Sequence, residues 1–280
     1  MADPTPAPPD QAAHWNQAGG QAWVELQGLM DSLNKPIEDL LIARGDPGVG
    51  GRVLDIGCGA GGTTLAMARQ VGPQGLSLGV DVSAPLLELA RRRAEAEGLE
   101  AADFLQGDAE TLEMGAGFDA AISRFGVMFF ADSDAAFANI RSSLMPGGPM
   151  VFACWRSPKD NPLAGLPLEA AAHLLPTMPK GDPLAPGRFA FADPQRVRGI
   201  LERSGWHDIT IEALDAPTPI ALDDLVTLSL KLGPVANALR QQDQATAAKV
   251  QEAVRAALAP YAQNGIVPMT AACWLVTARA

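Results

Sequence analysis

The sequence predicts an α/β protein built on an open, doubly wound sheet. Three observations predict it. Short apolar runs alternate with helix-length amphipathic segments between Arg52 and Trp155. A glycine-rich turn, Gly57-Cys58-Gly59-Ala60-Gly61-Gly62, joins the first run to the first of those helices. Successive runs close on or just before a carboxylate, at Asp55, Asp81 and Asp108. Strands that are apolar throughout and alternate with helices belong to a parallel sheet covered on both faces.

Taken in order, residues 1–12 are rich in Pro and Ala without an apolar period and read as a disordered tail. From Ala13 to Ala43, Trp15, Trp23, Leu26, Met30 and Leu33 fall at helical spacing, so one or two helices are expected, with a break at or near Pro36. The two tryptophans read as helix packing or as contacts over the glycine turn. Arg52–Asp55 is the first strand, and the helix after the turn ends at Gly72-Pro73. Leu76–Val80 is the second strand. Ser83 is the expected cap of the next helix, with Pro85 in its first turn and Arg91 to Arg93 on a solvated outer face.

Asp103–Gln106, Phe118–Ser123 and Met150–Trp155 are the next three strands. A helix capped by Asp132 or Ser133 lies between the last two. A Pro-rich insertion follows, holding a short helix near Leu166–Leu175. Asp193 and Pro194 then start a helix that ends before Gly205. Ile209–Leu214 is a sixth strand, Leu222 to Tyr261 is mostly helical, and Met269–Thr277 is a last strand.

Composition narrows the partners. With 280 residues, 48% of them apolar, the chain can bury a large core. A net charge of −11 argues against a nucleic-acid backbone as partner. No apolar run is long enough to span a membrane, and the N-terminus lacks the pattern of a secretory signal, so a cytoplasmic protein without a membrane anchor is expected. Cys58, Cys154 and Cys273 are scattered and odd in number, which suits a reducing compartment, and neither they nor the three histidines have metal-ligand spacing. No metal is expected.

The chemistry lies at the strand ends. In an open parallel sheet, ligands sit outside the carboxyl ends of the strands. Gly57, Gly59 and Gly62 alone satisfy a dinucleotide fingerprint, and Asp81, nineteen residues after Gly62, stands where an acidic residue accepts ribose hydroxyls. Asp108 can reach an adenine amino group. Asp55 breaks the tie: a carboxylate two residues before the first glycine repels a pyrophosphate but suits a ligand carrying an ammonium and a sulfonium, such as S-adenosylmethionine. Asp55 is expected to orient that ammonium, directly or through backbone and water, while turn N–H groups take the ligand's carboxylate.

The series VLDIGCGAGG, GVDVS, GDAE, FDAAISRFGVMFF and LMPGG resembles the motifs of class I S-adenosylmethionine-dependent methyltransferases, in the style of the ubiquinone/menaquinone biosynthesis enzymes. HWNQAGGQAW and the last strand are similar to one bacterial branch of that family. The resemblance implies a Rossmann-like, seven-stranded, mostly parallel sheet whose antiparallel last strand inserts near the fifth and sixth, plus helical cap insertions. It assigns cofactor contacts to Asp55, Gly57, Cys58, Gly59, Asp81, Val82, Asp108, Ala109, Ser123 and Arg124. Substrate contacts are expected from Phe125, Met128, Phe129 and Trp155.

The corresponding division is a tail at 1–12, helices over the cofactor site at 13–45, a core at 46–156, an insertion at 157–190, core again at 191–220, a helical cap at 221–264 and the last strand at 265–280. Methyl transfer to a small aromatic, quinone-like or lipid-like acceptor is the leading expectation, with a homodimer left open. His14 and His173 are the candidate general bases, and His207 a weaker one. Arg124 and Arg156 either meet an anionic acceptor group or pair with surface carboxylates. A nicotinamide-dependent oxidoreductase and a non-catalytic cofactor binder are the alternatives.

Overall fold

The computed structural model describes residues 11–176, 182 and 184–280, excepting the side chains of residues 11, 12, 14 and 18. The expected tail therefore lies almost wholly outside the described residues, as does the side chain of His14. Five parallel strands form the centre: β1 (Arg52–Ile56), β2 (Leu76–Asp81), β3 (Ala102–Gln106), β4 (Ala120–Arg124) and β5 (Pro149–Trp155). With β6 (His207–Pro217) and the C-terminal β9 (Thr270–Arg279) they make a seven-stranded sheet of order β3-β2-β1-β4-β5-β9-β6. β9 runs antiparallel to both β5 and β6, between them. The fold class expected from the sequence is the one observed.

Helices α4 (Gly62–Val71), α5 (Ala84–Glu97), α6 (Ser133–Ser143) and α8 (Pro194–Arg203) cover the sheet. The two faces bury different clusters. One holds Phe118, Phe137, Phe152 and Phe191, and the other packs Ile37 and Leu41 against Val151 and Ala153. Strand four begins at Ala120, two residues later than expected, because Phe118 makes only an isolated bridge to Leu144.

The N-terminal segment is three helices, α1 (Gln11–Asn16), α2 (Ala18–Glu25) and α3 (Gln27–Gly45). The chain breaks near Gln17 and Leu26, not at Pro36, which lies inside α3. An interior proline costs about 3 kcal/mol. Immediately beyond it, Ile37 and Leu41 are fully buried, and burying two such side chains gains about 3–6 kcal/mol, so packing carries the helix through.

The insertion helix is shorter than expected, α7 (Leu166–Ala171), and the long helical segment divides into α9 (Leu222–Lys231), α10 (Gly233–Leu239) and α11 (Gln244–Leu258). Gly233, at φ +80°, marks the first break. These helices have their own core, from Leu225 and Val235 to Val250, Val254 and Leu258. A two-stranded ribbon, β7 (Ile220–Ala221) with β8 (Ile266–Val267), ties the cap to the sheet. Among the described residues, no helix is long and apolar enough to cross a membrane.

Candidate cofactor and acceptor site

A cavity of about 930 Å³ opens over the carboxyl ends of β1 to β5, between the sheet, the N-terminal helices and the cap. Ligand pockets typically span about 300–1,000 Å³. Its floor starts at the glycine turn. Gly57, at φ +66°, lies so close to Gly126 that a Cβ there would sit 2.6 Å from the Gly126 Cα, so both positions need glycine for backbone contact between the β1 and β4 loops. Gly59, at φ +56°, has open space where its Cβ would be.

Asp55 does not line this cavity. It is fully buried behind the turn, where its Oδ2 accepts the Thr63 and Thr64 hydroxyls at 2.6 Å each, while Oδ1 has no partner. Burial pushes its carboxyl up to about 6, against the two threonine hydrogen bonds and the Arg124 charge. The expectation of direct contact with a ligand ammonium is corrected: Asp55 ties β1 to the start of α4.

The turn's donors are also partly committed. Gly57 and Cys58 N–H both donate to the Val80 carbonyl, at 2.8 and 3.1 Å, and Gly59 N–H donates to Asp81 Oδ2 at 2.8 Å. The Ala60 N–H and the first-turn N–H groups of α4, which a helix cannot bond internally, remain as donors at the floor. Gly62 and Thr63 line the cavity there.

Asp81 faces the cavity at the end of β2 and also accepts the Ser83 N–H at 2.9 Å through Oδ1. Desolvation raises its pKa, opposed by these backbone donors. Asp108, after β3, is exposed into the cavity and accepts the Glu110 N–H at 2.9 Å. Cys58, Val82 and Ala109 line the same edge. Ser123 does not: its buried hydroxyl donates to the Ile56 carbonyl at 2.7 Å and accepts the Gly126 N–H at 3.2 Å, holding the two loops together. Arg124 lines the cavity but is paired with Glu38 at 3.1 Å and Asp31 at 3.7 Å.

The N-terminal helices roof this half. Trp15 meets Phe129 and Trp23 edge-on, at 5.4 and 6.3 Å between ring centroids, so the helix-packing reading of the tryptophans holds, and all three rings also line the cavity. Ser83 does not cap α5 with its side chain; its hydroxyl donates to the Trp15 carbonyl at 2.7 Å. Asn16 takes over, accepting the Ala84 N–H and donating to the Val82 carbonyl, both at 2.9 Å. Arg93, expected on a solvated face, instead donates to the Ala60 carbonyl at 2.5 Å and pairs with Asp31 at 2.6 Å, bracing the turn from behind.

The other half is apolar. Phe125, Met128, Phe129 and Trp155 line it, as expected, under residues of α7, α9 and α10. Phe125 adopts φ +67°, a conformation costly for a bulky residue, and stacks on Trp155 with 4.8 Å between centroids and 13° between planes. His173 is exposed and lines no part of the cavity, and His207 lies at the start of β6, away from it. Arg156 is bound to Asp160 at 2.6 Å and Asp215 at 2.8 Å. Sequence reasoning missed Arg188, whose guanidinium lies 3.9 Å above the Trp155 ring.

Comparison with known proteins decides the family. A methyltransferase domain model matches residues 53–148. The chain is 31% identical over 167 residues to the demethylmenaquinone methyltransferase of Thermus thermophilus, covering 55% of this chain and 74% of that protein. The chain belongs to the class I S-adenosylmethionine-dependent methyltransferases. This methyltransferase is also 36% identical over 118 residues to a Streptomyces aklanonic acid methyltransferase, spanning 42% of this chain and 54% of that one. In fold it matches the YcgJ protein of Bacillus subtilis, with a TM-score of 0.57 at 19% identity over 86% of this chain and 97% of the other.

The residues of the methyltransferase fit such a cofactor. Carboxylates at the end of β2 and just after β3 edge the crevice, placed to accept ribose hydroxyls and an adenine amino group. Helix N–H donors close its floor, and Gly59 leaves room for close approach. Among the described residues, no cluster of His, Cys, Asp and Glu could hold a metal ion.

Proposed function

We propose that the protein transfers a methyl group from S-adenosylmethionine to a small acceptor with an aromatic, quinone-like or lipid-like body. One observation carries the reading: a single cavity runs from a carboxylate-edged glycine crevice to an aromatic, apolar chamber under the cap. The names of the quinone and aklanonic acid methyltransferases among its relatives support an extended aromatic acceptor.

In this reading Asp81 accepts the ribose hydroxyls, Asp108 the adenine amino group, and the α4 N–H groups the methionine carboxylate. When bound, S-adenosylmethionine would supply an electrophilic methyl group that an acceptor lone pair could take in line, the thioether leaving with the electrons of the carbon–sulfur bond. The protein's part is positional: Phe125 and Trp155 fix one wall, and Trp15, Phe129 and the cap exclude water. His173 and His207 do not line the cavity, and the side chain of His14 lies outside the described residues.

Calorimetry with S-adenosylhomocysteine and, separately, NADH tests the cofactor. We expect binding of the first and none of the second; the reverse result overturns the reading. Incubation with S-adenosylmethionine and a panel of hydroxylated naphthoquinones and anthraquinones, followed by mass spectrometry, should detect methylated product. Cofactor binding without turnover on any member would favour a non-catalytic binder.

A further inference from the structure

Four basic side chains line the cavity, and two of them are neutralised. Arg124 pairs with Glu38 and Asp31, and Lys231 pairs with Glu25. Arg240, at the end of α10, and Arg188 have no carboxylate partner among the described residues. Both are solvent-accessible. Arg188 is held differently.

Its backbone is fixed on both sides. The Gly187 N–H donates to the Met128 carbonyl at 3.0 Å, and the Trp274 indole N–H donates to the Ala192 carbonyl at 2.9 Å. The guanidinium packs over Trp155 and lies 5.5 Å from the Phe189 ring. Arg188 keeps a large accessible surface and lines the cavity. Burial lowers its pKa to about 10, still well above neutrality, so the charge persists. The nearby Cys273 thiol offers no counter-charge, since burial pushes it up to about 12. Stacking on the aromatic ring holds the guanidinium in place without supplying a counter-charge.

Position gives this cation its meaning. The carboxylates Asp108 and Asp81 stand over β3 and β2, the glycine turn over β1, Phe125 over β4, and Trp155 with Arg188 over β5. Adjacent strands are about 4.8 Å apart, so Arg188 lies roughly 10 Å along the cavity from the turn. That is too far for the cofactor's carboxylate on the α4 donors and right for the far side of an aromatic acceptor. We propose that Arg188 is a specificity-determining residue that binds an anionic group, a carboxylate or an ionised phenol, on the acceptor. This rests on the methyltransferase reading above.

The guanidinium fork donates two parallel N–H···O bonds to a planar oxyanion. It acts as an anchor, not as the methylated centre's base. Neutral acceptors of the same shape would leave the charge unpaired and bind more weakly.

The test uses 2-naphthoate and its neutral relative methyl 2-naphthoate, titrated with and without S-adenosylhomocysteine into wild type, Arg188→Gln and Arg188→Lys. Wild type should prefer the acid by about tenfold, the scale of a charge-assisted hydrogen-bonded pair. Arg188→Gln should abolish that preference while leaving S-adenosylhomocysteine and ester affinities within about twofold. Arg188→Lys should keep part of it, and supplies the answer if the glutamine variant does not fold. Equal wild-type affinity for acid and ester, failure to bind the acid, or equal loss of both in Arg188→Gln would overturn the proposal. Absence of S-adenosylhomocysteine binding would instead sink the cofactor assignment, while the acid preference measured without it would still decide the role of Arg188.

Discussion

The side-chain oxygen of Asn16 accepts the backbone N–H of Ala84 at 2.9 Å, across 68 positions of sequence. The same carboxamide donates to the Val82 carbonyl, so one residue of the N-terminal segment both caps α5 and latches the roof of the crevice to the end of β2. Replacing Asn16 by Ala removes both bonds and the cap. At about 0.5–1.5 kcal/mol per hydrogen bond, we expect a loss of ~1–3 kcal/mol in global stability. Amide hydrogen exchange should also quicken across residues 11–25. Unchanged protection there would show that Trp15 packing alone holds the roof.

Asp81 is positioned before any ligand arrives. Gly59 N–H and Ser83 N–H each engage one carboxylate oxygen, which fixes the side chain at the crevice with lone pairs to spare. Asp81→Ala should weaken S-adenosylhomocysteine by about 1–3 kcal/mol, through loss of charged hydrogen bonds. Asp81→Asn should lose less stability than Asp81→Ala, since an amide oxygen can still accept one of the two backbone bonds. Calorimetry on both variants checks this; unchanged affinity in Asp81→Ala would refute the ribose assignment.

The sheet was legible because its strands are short apolar runs punctuated by glycine and proline, and burial on both faces leaves no polar alternation to confuse them. The place of β9 between β5 and β6 came from family resemblance, since pairing order leaves no local mark on a strand. What failed was long-range polar matching. Ser83 carries a cap signal, yet the partner of Ala84 N–H is Asn16, and nothing near either residue announces it. Arg93 sits in a basic triplet that looks solvated, and its contacts with Ala60 and Asp31 arise only once α3 crosses the turn. Arg188 lies in a Pro-rich stretch without periodicity, so only its packing on Trp155 distinguishes it. Asp55 was recognised as special, but the direct route to a ligand does not hold: threonines at the start of α4 hold it, and it does not line the cavity.

That burial gives Asp55 a measurable signature. Burial raises its carboxyl to about 6 in the folded protein from 3.8, the ordinary value for an aspartate, so between those values the folded state binds more proton than the unfolded one. Stability must then fall as pH rises from about 4 to 6, by ~3 kcal/mol at 1.36 kcal/mol per unit if the whole shift is realised. Asp81 contributes with the same sign, whereas Asp160 and Asp243, whose pKa values are lowered, contribute with the opposite sign. Only a difference measurement isolates Asp55. Denaturant unfolding of wild type and Asp55→Asn from pH 4 to 7 should show the variant gaining on wild type as pH rises, because an amide keeps the acceptor for Thr63 and Thr64 without a charge. A stability difference that stays flat across this range would mean that Asp55 is not desolvated.

Gly57 and Gly59 both have positive φ, at +66° and +56°, yet they serve different ends. A Cβ on Gly57 would come within 2.6 Å of the Gly126 Cα, a backbone atom that cannot swing away, whereas a Cβ on Gly59 meets nothing within 4 Å. Both alanine variants carry the left-handed backbone cost of about 1–2 kcal/mol. Gly57→Ala adds the clash and must push the β1 and β4 loops apart, displacing Phe125 and its stack on Trp155, so it should lose clearly more stability than Gly59→Ala. Gly59→Ala should fold, but its methyl group fills space beside the N–H that meets Asp81, where the ligand approaches the turn. We therefore expect S-adenosylhomocysteine affinity to fall by tenfold or more in Gly59→Ala, about 1.4 kcal/mol, out of proportion to its loss of stability. Thermal unfolding paired with calorimetry on the two variants separates the roles. Full affinity in Gly59→Ala would mean that the cofactor does not approach the backbone at that residue.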